Sequence, residues 1–161
     1  MSDCEELRSV LYDSTVPNAK RIARIQQMSG IDDCVTRAIA TATKAQDWST
    51  FEVYLRAAVH HPSRAMTPWL CAALSLKSPE VPNEDTVEVL GEIADPASLD
   101  CLSEILHWSP DWDEFHHLNV KALRAIHKVG TAEAWKLIAV ATDHHAAVVA
   151  DRARTMMERR Q

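Results

Sequence analysis

The stretch VLGEIADPASLDCLSEIL, residues 89–106, decides the fold. Its apolar residues keep a helical spacing on both sides of the Asp95-Pro96 pair. Leu99, Leu102 and Leu106 fall at i, i+3 and i+7, which is one face of a helix. Asp95 offers an N-cap oxygen, and Pro96 stands at N1, where a missing amide is harmless. The same period runs through Leu118, Ala122, Ile126 and Val129, and again through Val149, Ala153, Met156 and Met157. No polar/apolar alternation of strand length interrupts it. Ser2-x-x-Glu5 and Ser49-x-x-Glu52 have capping-box spacing. Gly130 follows Val129 where a C-terminal cap belongs. These signals predict helices over 2–13, 17–29, 32–46, 49–60, 64–77, 84–94, 96–107, 114–129, 132–142 and 146–159. Short linkers set successive helices antiparallel. The expected fold class is all-α, with residues 1–161 forming a single domain.

The pattern repeats. Displaced by 36 positions, Leu90 falls on Ile126, Ile93 on Val129, Leu99 on Trp135 and Leu102 on Ile138, and Asp95 falls on the cap position Thr131. A further partial copy begins near Val149, after the enlarged turn Trp108–His117 has changed the offset. The segments 89–106, HLNVKALRAIHKVGTAEAWKLI at 117–138 and VVADRARTMME at 148–158 resemble HEAT-like repeats, most clearly over residues 84–159. That resemblance implies a short right-handed α-solenoid of antiparallel helix pairs, with 84–94 and 96–107 as the first and second helices of one unit. It also implies a surface that binds proteins rather than one that carries out catalysis.

Composition excludes several classes. The 161 residues contain three glycines, Gly30, Gly91 and Gly130, too scattered for a phosphate loop or a dinucleotide fingerprint. A net charge of −6 disfavours nucleic acid and anionic membranes as partners. No apolar stretch approaches the length of a membrane span. The first residues, Met1-Ser2-Asp3-Cys4-Glu5-Glu6, lack the basic and apolar regions of a signal peptide, so a cytoplasmic protein is expected. Cys4, Cys34, Cys71 and Cys101 form no close pair, and in a reducing compartment they read as free thiols packed like small hydrophobes.

The charge is localised. Residues 1–80 are balanced, whereas the interval between Lys77 and Lys121 holds eleven carboxylates and no lysine or arginine. Asp85, Glu88 and Glu92 share one helix face, and Asp100, Glu104 and His107 share another. Asp111, Asp113 and Glu114 follow in the enlarged turn, with Trp108 and Trp112 beside them. Like charges at such spacings cost a few tenths of a kcal/mol per pair and contribute nothing to the fold. They suit a surface that steers and aligns a basic protein partner, with the tryptophans as apolar anchors. Those eleven residues are the candidate partner-binding set. One concrete role for a small acidic chain of this kind is an immunity protein that occludes a basic toxin enzyme.

Catalytic signals are sparse, and no cofactor is expected. Glu104-x-x-His107 and Glu114-x-x-His117 place a carboxylate and an imidazole at i, i+3, as in di-iron carboxylate sites. A metal-dependent HEAT-like enzyme built on these four residues is therefore the alternative from another class. HEAT-like di-iron hydroxylases carry repeated adjacent His-Glu pairs, and this sequence has no His-Glu dipeptide. HExxH and GxSxG motifs are also absent. The basic clusters, Lys20, Arg21 and Arg24 and then Arg152, Arg154, Arg159 and Arg160, are small, and the second suits the end of a helix.

Overall fold

The capping signals are largely realised at the helix ends. Ser2 accepts the Glu5 amide while the Glu5 carboxylate accepts the Ser2 amide, a complete capping box. Asp95 accepts the amide of Ala97, and Pro96 opens a short 3-10 turn, Pro96–Ser98, that runs into the next helix. Thr131 accepts from Ala134, and Gly130 ends the preceding helix in the left-handed region at φ 70. The expected box at Ser49 is replaced: Asp47 accepts the Thr50 amide, and the helix begins at Trp48.

The computed structural model describes residues 2–160 and contains α1 (Asp3–Tyr12), α2 (Asn18–Gln27), α3 (Asp32–Ala45), α4 (Trp48–Ala58), α5 (Thr67–Ser75), α6 (Asn83–Ile93), α7 (Leu99–Leu106), α8 (His117–Val129), α9 (Ala132–Ala141) and α10 (Ala147–Arg160). No strand occurs among the described residues, so the chain is all-α. Each expected helix has a counterpart, but α8 begins at His117 rather than 114. The left-handed conformation of His116, φ 58, breaks the helical path just before it. No helix among the described residues is long and apolar enough to cross a membrane.

Helix contacts follow a pattern, to which α8 against α9 is an addition. Each odd-numbered helix packs on the even one after it: α1 on α2, α3 on α4, α5 on α6, α7 on α8 and α9 on α10. Odd helices also pack on the next odd helix from α3 to α9, and even helices on the next even one from α2 to α10. The most extensive interface is α6 against α8, while α6 and α7 share no comparable contact. The helix pair expected as one unit, 84–94 with 96–107, is therefore not a packed pair. α7 packs on α8 instead, and the Asp95-Pro96 turn connects two packed pairs.

The Glu92–Lys128 pair falls at the offset read from the sequence, and two further side-chain contacts share it among others that range from 33 to 38 positions. Lys128 bonds Glu92, Ser109 bonds His145 and the His61 ring bonds the Ile25 carbonyl, each across 36 positions. Small residues let the helices approach. A Cβ on Gly91 of α6 would lie 3.3 Å from the Ala125 Cα of α8. Around that contact Val87, Leu90, Ala122 and Ile126 are fully buried.

The cysteines are not free. Cys4 pairs with Cys34 and Cys71 with Cys101, both at a sequence separation of 30, with Cα atoms 5.4 and 5.6 Å apart. The first bridge ties α1 to α3 and the second ties α5 to α7. Both therefore link odd helices of neighbouring pairs. Distance along the chain concealed partners that the repeated packing brings side by side.

Candidate docking surface

The acidic row on α6 lies against a basic row on α8. Lys121 reaches Glu84 at 3.2 Å and Glu88 at 2.9 Å, and Lys128 reaches Glu92 at 2.5 Å. Glu88 and Glu92 thus have intramolecular partners, which reduces the charge they present to solvent. Asp85 has no cation within ion-pair distance among the described residues. Partial burial, then the carboxylates of Glu88, Glu52 and Glu84, raise the Asp85 carboxyl above its usual range, with Lys121 acting in the opposite direction. A cation brought to this point would relieve that strain.

The enlarged turn after α7 is built by three buried polar groups. The Asp113 carboxylate accepts the amides of His117 and Leu118 at 2.9 and 3.0 Å and so caps α8. Asn119 is completely buried, and its Nδ2 donates to the carbonyls of Ile105, Leu106 and Trp108. With Nδ2 so placed, Oδ1 accepts from His116 Nδ1 at 3.0 Å. His144, in the turn between α9 and α10, adds a further donor to Leu106. Asp113, expected at the partner surface, is buried and serves the fold.

This framework presents the tryptophans. Trp108 and Trp112 meet edge to face, ring centroids 5.8 Å apart. Trp108 is half-buried against the core, whereas Trp112 is 47% exposed. Trp112 faces the start of α6 across a cleft of about 420 Å³ shared with Pro79, Pro82, Asn83, Glu84 and Asp85. Asn83 is buried, and its Oδ1 has no hydrogen-bond partner. The structure thus brings Asp85 and Trp112 together across 27 residues of chain. Glu84, outside the expected set, joins them.

The other expected residues lie elsewhere. Asp100, Glu104 and His107 are on α7 or at its end, in the odd-numbered layer, and all three are exposed. Asp111 and Glu114 are exposed in the turn. The eleven residues are therefore not one continuous site: Asp85, Trp112 and Trp108 form its centre, and the α7 row is a separate acidic face. Sequence reading missed the pairing of the α6 row with Lys121 and Lys128. The offset of 36 that aligns α6 with α8 places Lys128 on Glu92 and was the available signal.

The two Glu-x-x-His units do not converge. The His107 ring stacks on His144, and His117 stacks on Phe115. Glu114 lies in the non-helical turn before α8, so it lacks the i, i+3 helical relation to His117. Among the described residues no three histidine, cysteine or carboxylate side chains form a group that could hold a metal ion. No family model matches this chain, and no curated protein or solved structure matches it significantly.

Proposed function

We propose that the chain is a non-catalytic protein-interaction module, a short right-handed HEAT-like solenoid that docks a basic protein at the cleft between Asp85 and Trp112. Contacts that run odd to odd and even to even, and cross-helix bonds at offsets of 33 to 38 positions, three of them at 36, support the solenoid reading. The observation that carries the functional reading is the cleft itself. A carboxylate without an ion-pair partner, raised by partial burial and then by like charges, stands opposite a half-exposed indole. An arginine or lysine entering there lies on the Trp112 ring and pairs with Asp85. Asp100 and Glu104 on the separate α7 face, with Asp111 and Glu114 in the turn, add to the negative field that orients the partner. The concrete role favoured by size and charge is an immunity protein that covers a basic toxin enzyme. The metalloenzyme alternative gains no support from the positions of Glu104, His107, Glu114 and His117.

The cysteine pairs favour an oxidising setting over the cytoplasmic one expected from the first residues, because cytosolic thiols are kept reduced. Alkylation of the protein inside cells, followed by intact-mass measurement, separates the two: four alkylated cysteines place it in a reducing compartment, and none places it in an oxidising one.

Calorimetric titration with an arginine-rich peptide tests the docking reading. Asp85→Lys and Trp112→Ala should each weaken binding by about tenfold, as expected for a central anchor. Unchanged affinity in both variants would remove the cleft from the interface.

A further inference from the structure

We propose that a second cleft, between the start of α8 and the start of α10, binds a small organic anion with an apolar body. It has a volume of about 690 Å³, within the range of small-molecule sites. Lys121, Arg124 and Arg152 line it, against the single carboxylate of Glu114. Lys121 is engaged by Glu84 and Glu88, but Arg124 and Arg152 have no carboxylate within ion-pair distance among the described residues. An excess of cations in one cleft of a chain with net charge −6 is a local departure that fits an anionic ligand.

The walls define the rest of that ligand. Phe115 is 70% exposed and Val148 is 41% exposed, while Val120 and Ala146 form buried backing. Phe115 is held by stacking on His117, ring centroids 6.0 Å apart, so it stands as a side wall. The Ala146 carbonyl accepts the amides of Val149 and Ala150 and so begins α10, yet alanine has no side-chain oxygen to cap the helix. A carboxylate, sulfonate or phosphate supplies that missing acceptor while pairing with the arginines. The apolar body then covers Phe115 and Val148. This cleft is distinct from the acidic one at Trp112 and has the opposite charge.

The probe is 1-anilinonaphthalene-8-sulfonate, an aromatic sulfonate, with uncharged N-phenyl-1-naphthylamine as its control. Calorimetry at physiological salt should give saturable binding of one sulfonate probe per chain. Arg124→Gln combined with Arg152→Gln should weaken the sulfonate by about tenfold and leave the neutral probe within about twofold. Phe115→Ala should weaken both. In the unaltered protein, the sulfonate should shift the amide resonances of Phe115, Val148 and Arg152. Sulfonate binding that survives the double arginine substitution, resonance shifts confined to other regions, or the absence of saturable binding would overturn the proposal.

Discussion

His144 donates its Nε2–H to the Leu106 carbonyl at 2.8 Å while its Nδ1 accepts the Ala146 amide at 3.0 Å. Both ring nitrogens are therefore committed, and the neutral Nε2–H tautomer is the one that fits. This single ring ties the end of α7 to the turn before α10.

A pH dependence follows. Burial first, then the neighbouring rings of His145, His107 and His116, lower the His144 pKa below the usual histidine value, against the bond to Leu106. The unfolded chain then binds a proton at higher pH than the folded one does. The stability this site contributes is complete above about pH 6.5 and is lost as pH falls below it. Urea denaturation should show stability decreasing between about pH 7 and pH 5. His144→Ala should cost about 1–3 kcal/mol at neutral pH and flatten that slope. A slope unchanged in the variant would assign it to other groups.

The two bridges each close a span of 30 residues. Chain-entropy arithmetic gives roughly 3–4 kcal/mol for a loop of that size. Cys4→Ser with Cys34→Ser, and separately Cys71→Ser with Cys101→Ser, should lower the unfolding free energy by about that amount. Adding a thiol reductant to the unaltered protein should lower it further than either pair of substitutions does.

Asp113 distinguishes a folding role from a binding role. Its carboxylate satisfies two amides at the start of α8. Asp113→Ala should destabilise the fold by about 1–2 kcal/mol, the cost of losing a helix cap. Affinity for a basic peptide should remain within about twofold of the unaltered protein when both are fully folded.

Gly91 tests the contact between α6 and α8. Its position opposite Ala125 leaves little space for a side chain. Gly91→Leu should lower stability by about 1–3 kcal/mol through overpacking. Gly91→Ala should lie within about 1 kcal/mol of the unaltered protein, because improved helix propensity offsets the close contact.

The helices were legible because periodicity and capping are local. Leu99, Leu102 and Leu106 mark a face, and Asp95 and Thr131 mark starts, without reference to distant chain. The start of α8 was misplaced because Asp113 caps from outside the helix and His116 adopts the left-handed region, features that helical periodicity does not record. The disulfides and the Lys121 and Lys128 ion pairs depend on which helices lie side by side. Once α6 is placed against α8 and α5 against α7, Glu92 meets Lys128 and Cys71 meets Cys101. Of the candidate surface, the acidic segment was legible, but its division was not. Asp85 and Trp112 share a cleft, Asp113 turns inward, and Asp100 and Glu104 lie in the other layer.

The most direct measurement is an amide and indole nuclear magnetic resonance titration of the isotope-labelled protein with an arginine-rich peptide at physiological salt. The Trp112 indole resonance and the Asp85 amide should shift first and saturate together, and in Asp85→Lys the Trp112 shift should need about tenfold more peptide. Shifts spread evenly over the exposed carboxylates of α6 and α7, with the Trp112 indole unmoved, would contradict docking at this cleft.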